Sequence, residues 1–363
     1  MRGKWVILLT LALCLLTGRA AASGDGQTAL PEELERLAPD TAALVDAEAE
    51  GSFGLAAGAA RLWNQAVEEL RTYLLAGVRS VAALMAGVVV LGAAETMAPG
   101  KGELVSRCGT AVGALWITAV SAGDLHSLIG LGQSTITEVS QLSRALLPAL
   151  AAATAAGGGV TAASVRQVAA VFFSNALLYV MEGVLLPMVY LYIGVAAAGA
   201  VLEGEVLSGI ARLMKKVITW SLSGLLLLFT TYLTVSGAVA GTADAAAVKA
   251  AKAAMSGAVP VVGGILADAA ESVLAGAGIL RGMIGVFGML AVLGLCLTPF
   301  LRLGLQYLLY QGAALVAEAA GPKKLTGLIA RLGDAFGLVL AMTAATALLL
   351  LISLVSSLTA VTA

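Results

Sequence analysis

Charge, cysteine and histidine are scarce in this chain, and each scarcity removes a class of function. Only 12% of the 363 residues are charged, and the formal net charge is −1. Soluble domains carry about 25% charge, so too little polar surface is available to cover a water-soluble fold of this length. The near-neutral balance also argues against a protein that binds by neutralising nucleic-acid phosphates. Cys14, Cys108 and Cys296 do not form a disulfide framework. The last two lie in apolar runs, where a thiol behaves as a small hydrophobe. His126 is the single histidine. With no second imidazole for a metal site or a proton relay, and with Asp124 beside it, it reads as a satisfied loop residue. The phosphate-binding Gly-x-x-x-x-Gly-Lys-Ser/Thr, the Gly-x-Ser-x-Gly elbow and His-Glu-x-x-His are all absent. No enzyme, cofactor or metal is expected.

Apolar sequence is abundant. Hydrophobic residues make up 60% of the chain, and the mean hydropathy is +0.96. Residues 1–22 have the form of a signal peptide: Arg2 and Lys4, an apolar region from Trp5 to Thr17, then Ala20-Ala21-Ala22 as a cleavage site. An uncleaved anchor is the alternative. Residues 23–72 hold ten acidic and three basic residues. Pro31 with Glu32, Glu33 and Glu35 suits a helix start. Trp63, Val67, Leu70 and Leu74 follow helical spacing, as an amphipathic lead-in to a polytopic membrane domain at 73–363.

The remainder divides into uncharged runs at 80–94, 108–123, 145–165, 167–181, 183–202, 217–243, 253–267, 282–301, 303–317 and 335–363. A spanning helix needs about 20 apolar residues, and period-two alternation is absent, so helices are expected rather than a barrel. Basic residues collect at Lys101 and Arg107, at Arg212, Lys215 and Lys216, and at Lys323, Lys324 and Arg331. The positive-inside rule places these in the cytoplasm and the acidic N-terminal region outside. Parity between the last two clusters then gives ten crossings, with 145–165 and 255–275 crossing fully or forming re-entrant or broken helices. Glu182 then marks either a tight extracellular turn or an ion-binding acid.

Residues 143–213 and 255–332 share a pattern. Pro148 and Pro187 stand 39 apart, as do Pro260 and Pro299; Ile210-Ala211-Arg212-Leu213 returns as Ile329-Ala330-Arg331-Leu332. The offset is 112 at the prolines and 119 at the tetrapeptides. Equal loop charge makes these parallel internal repeats, about 143–243 and 255–363. Gly- and Pro-interrupted segments at matching positions point to a pathway or to close helix packing. The residues concerned are Pro148, Gly158 and Gly159 in the first copy, and Pro260, Gly263, Gly264, Asp268 and Glu271 in the second, with Glu182 between them.

Val259-Pro260-Val261-Val262-Gly263-Gly264 with Asp268, then the run 274–280, then Phe300-Leu301-Arg302 through Tyr307-Leu308-Leu309-Tyr310, resemble the stage III sporulation protein AE family. So does Leu146-Leu147-Pro148 leading to Gly158-Gly159-Val160-Thr161. The resemblance covers about 75–360 and is strongest at 255–312. It departs at Gly321-Pro322-Lys323-Lys324, where a glycine-plus-acid signature is expected. The resemblance implies a membrane component of a secretion-like channel complex joining mother cell and forespore, needed for late forespore development. It implies the other membrane proteins of that complex and its cytosolic ATPase as partners. A stand-alone secondary transporter and a non-conducting scaffold are the alternatives.

Overall fold

The computed structural model describes residues 55–96, 103–156, 172–173, 175–202, 205–258, 263–320 and 322–359, all but a few of them helical. The signal peptide and most of the acidic region therefore lie outside the described residues. The helices are α1 (Leu55–Thr96), α2 (Glu103–Ala156), α3 (Leu186–Val201), α4 (Glu205–Ala258), α5 (Gly263–Ala320) and α6 (Lys323–Thr359). A single π-helical turn, Met181–Leu185, runs directly into α3. Six helices among the described residues are long and apolar enough to cross a membrane.

The helices are longer than a bilayer requires. The 58 residues of α5 reach about 87 Å at 1.5 Å per residue, against about 30 Å of hydrocarbon. This overturns the ten-crossing expectation. Runs 282–301 and 303–317 belong to one helix, with Arg302 and Pro299 inside it. Arg302 is met on α1: its Nη2 lies 3.6 Å from Glu69 Oε2 and its guanidinium stacks 3.4 Å above the Tyr73 ring, while its buried Nε has no hydrogen-bond partner among the described residues. Glu182 is not a turn between two helices either. The candidate span 175–201 continues through it, and the extra residue is absorbed by the π turn just ahead of Pro187. Residues 255–275 do not make one crossing: α4 stops at Ala258 and α5 starts at Gly263. In the first copy, 145–156 is the last part of α2. α4 and α5 offer two candidate spans between the basic clusters where four were expected, also an even number.

The boundary drawn at residue 72 falls inside α1, which runs through it without a break. Its face toward α2 and α5 carries Leu62, Ala66, Gly77, Leu84 and Val88. Trp63, Val67 and Leu74 point outward. The lead-in stripe therefore faces the surroundings and not the bundle.

α6 is the axis of the bundle. It packs on α5, α2, α3 and α4 and is the most buried of the six spans. Leu328, Leu332, Phe336, Val339, Met342 and Leu349 centre the larger core cluster. A second cluster, built from Leu146, Leu150, Phe287, Leu290 and Leu354, closes the far end of α2, α5 and α6. Association in lipid depends on close packing rather than on hydrophobic transfer, and small residues provide it. A Cβ on Gly333 would stand 3.0 Å from Tyr310 Cβ, and one on Gly337 3.0 Å from the Tyr307 ring. This Gly-x-x-x-Gly face seats α6 against the tyrosines of α5.

Candidate functional site

Polar side chains inside such a bundle must find partners on other helices, and here they form a seam through its centre. On α5, Gln306 and Tyr310 are buried one turn apart. Gln306 Nε2 donates to Asp124 Oδ2 of α2 at 2.9 Å, and the Tyr310 hydroxyl donates to the same oxygen at 3.3 Å. The buried Ser121 hydroxyl of α2 lies beside the Tyr310 hydroxyl. Next along α5, Gln311 Nε2 donates to Asp334 Oδ1 of α6 at 3.1 Å and to the Ala330 carbonyl at 3.3 Å. The same Asp334 oxygen meets Lys215 Nζ of α4 at 2.7 Å. One turn the other way on α5 lies Arg302 with its α1 partners. The seam thus links α1, α2, α4, α5 and α6.

The second polar region surrounds the π turn. Thr137 on α2 donates to Glu182 Oε1 at 3.2 Å, and Arg144 Nη2 donates to Asn175 Oδ1 at 3.2 Å. Thr346 on α6 donates to Met181 Sδ at 3.3 Å. A small cavity between α2, α6 and residues 177–178 is lined by Ser140, Ser143, Thr346 and leucines. The Ser140 hydroxyl is buried there without a partner. π turns recur at functional positions because they displace one turn's side chains and leave a carbonyl unpaired.

The residues expected from sequence are placed as follows. Pro148 is an exposed position inside α2. Gly158, Gly159 and Pro260 lie outside the described residues. Gly263 and Gly264 are the first two residues of α5, and Asp268 and Glu271 follow in its opening turns. Glu182 is exposed in the π turn. The structure therefore does not gather these residues into one described site. His126, expected in a loop, is an exposed residue within α2. Cys108 and Cys296 are both free. Among the described residues no three His, Cys, Asp or Glu side chains come together as a metal site. The seam was overlooked in the sequence, although one signal was present: adding the tetrapeptide offset of 119 to 215 gives 334, which is the Lys215–Asp334 pair.

Two comparisons with known proteins bear on identity. The model of the family described as Stage III sporulation protein AE matches residues 55–360. The Stage III sporulation protein AE of Bacillus subtilis (strain 168) is 21% identical over 217 residues, which cover 60% of this chain and 54% of that protein. The match thus spans about half the length of the relative. No solved structure matches the chain. Six apolar helices of spanning length fit a multi-pass membrane protein, and with a family match over nearly all of its described length this chain belongs to the stage III sporulation protein AE family.

Proposed function

We propose that the chain is a membrane subunit of a conduit between mother cell and forespore, a structural or gate-like component and not an enzyme. Family membership carries this reading. The arrangement of the helices supports it. α3 and α4 form one hairpin, α5 and α6 another, and the repeated Ile-Ala-Arg-Leu lies on α4 and α6. α3 also packs on α6 and α5 on α4, the cross-packing that a two-fold between hairpins produces. Lys215 and Asp334 occupy equivalent positions and touch, as residues near such an axis do. Parallel repeats of this kind put both basic clusters on one face, the cytoplasm by the positive-inside rule. Six crossings, an even number, then place both ends of the helical body outside, in the mother-cell membrane around the forespore. Partners in this reading are the other membrane proteins of the complex and its cytosolic ATPase, which supplies the energy.

The test is Gly263→Leu at the first residue of α5. The variant should reach the membrane in normal amount and lower the yield of mature spores by at least tenfold. Wild-type spore yield refutes the gate. The rival readings separate in other assays. Solute uptake by proteoliposomes of the purified chain alone would mark a secondary transporter, with Glu182, Asp268 and Glu271 as its coupling acids. Wild-type assembly of the partners around an inactive Gly263→Leu chain distinguishes a gate from a scaffold.

A further inference from the structure

Between residues 126 and 144, every exposed position of α2 is polar or glycine: His126, Ser127, Gly130, Gln133, Ser134, Glu138, Gln141 and Arg144. At 3.6 residues per turn these fall within a face roughly 140° wide and about 27 Å long, close to the hydrocarbon thickness of a bilayer. No large exposed hydrophobic residue interrupts the face; those described stop at Trp116 and resume at Phe172.

Contacts fix the level of this face against α6. A Cβ on Gly132 would meet Val339 of α6, and one on Gly288 would meet both Leu146 of α2 and Leu354 of α6. Residues 132–146 of α2 are therefore level with 339–354 of α6, the C-terminal half of Lys323–Val355, the most apolar candidate span among the described residues. Phe173 packs on Phe229 and Tyr232 of α4 and the nearby Asn175 meets Arg144 of α2, which brings this part of α4 to the same level, where it exposes Leu227, Leu228 and Tyr232. Adjoining the α2 face are Glu182, which accepts from Thr137, and Asn175, which accepts from Arg144. α1 adds exposed Arg61, Asn64 and Glu68 close to Leu62, which packs in the cluster of Val139 and Leu142. At this level α2 exposes a polar strip, flanked by the exposed Trp63 and Val67 of α1 and by Phe172, Tyr179 and Val184, while α4 exposes an apolar face. Charged and amide side chains at bilayer depth face protein or a water-filled cavity, not lipid.

We infer that the α2 face is the wall of an aqueous path, running along the outside of the chain and open to water and hydrated solutes. This rests on the conduit reading and locates the conduit. The interior of the six helices is closely packed around α6, so the path does not run through it.

Thiol accessibility tests the wall in membranes of sporulating cells opened to both faces. The native cysteines are replaced by alanine, and single cysteines are introduced as Gln133→Cys, Ser134→Cys, Gln141→Cys and, on the lipid side, Leu228→Cys. A charged, membrane-impermeant methanethiosulfonate should label the three α2 positions at least tenfold faster than residue 228. Equal, slow labelling at all four overturns the wall. If Gly263→Leu still abolishes spores in that case, the conduit reading stands and its path lies elsewhere. A conservative set, Gln133→Asn and Gln141→Asn, should leave spore yield unchanged, whereas Gln133→Leu with Gln141→Leu should reduce it without loss of membrane insertion.

Discussion

Replacing Gly132 with alanine should loosen the bundle where α2 crosses α6. The added Cβ would stand 2.3 Å from Val339 Cγ1, with Thr343 Oγ1 at 3.6 Å and Leu303 Cδ1 at 3.8 Å. Carbon atoms pack at about 3.5–4.0 Å, so the two groups must part by more than about 1 Å. Val339 is fully buried, and a β-branched residue in a helix has one strongly preferred rotamer, so its methyl does not swing away cheaply. The strain falls on the separation of the two helices. Overpacking of this kind costs about 1–3 kcal/mol, and the stiff neighbour argues for the upper half of that range. Val339→Ala alone loses packing without a transfer penalty, because lipid is as apolar as the core, and should cost about 1 kcal/mol. The double variant removes the clash and refills the space, so it should be more stable than Gly132→Ala alone by about 1–2 kcal/mol. Unfolding of the purified full chain in detergent, followed by tryptophan fluorescence, measures all three. Strictly additive effects, or a Gly132→Ala chain as stable as wild type, would refute the close approach of α2 and α6.

Three further outcomes follow from the seam. Lys215→Met and Asp334→Asn should each destabilise the chain, and a double-mutant cycle should return a coupling of about 0.2–1 kcal/mol, small because Lys215 is 45% and Asp334 21% exposed. The swap Lys215→Asp with Asp334→Lys should recover stability, and no recovery would count against the pair. Tyr310→Phe removes one of two donors to Asp124 and should cost about 1 kcal/mol in the same unfolding assay. Tyr73→Leu removes the ring under Arg302 and should cost about 0.5–2 kcal/mol; Tyr73→Phe, which keeps the ring, should be nearly neutral.

Particular residues show what could be read from the chain and what could not. Arg302 looked like the end of one crossing and the start of another, because a charge at bilayer depth is costly unless something meets it. Glu69 and Tyr73, more than two hundred residues away, meet it, and no local pattern reveals that. Glu182 looked like a turn for the same reason, whereas a π turn and Thr137 accommodate it within one helix. Of the Pro260–Gly264 segment, Gly263 and Gly264 open α5, and Pro260 lies outside the described residues. The α2 face escaped notice because a scan for uncharged runs passes over an amphipathic helix; the period of His126, Gly130, Gln133, Thr137, Gln141 and Arg144 was there to be read.

By itself the sequence determined the class of the molecule. Too few charges and too many long apolar stretches leave an all-helical, membrane-embedded chain, and its Pro, Gly and Tyr pattern placed it in a family. Those properties are local, fixed by composition and by residues near each other in the chain. The tertiary structure decided how the apolar runs join into helices among the described residues, which charges are matched, and which side of α2 is exposed. Each of these depends on what stands across from a side chain on another helix, and that neighbour is set by the packing around α6.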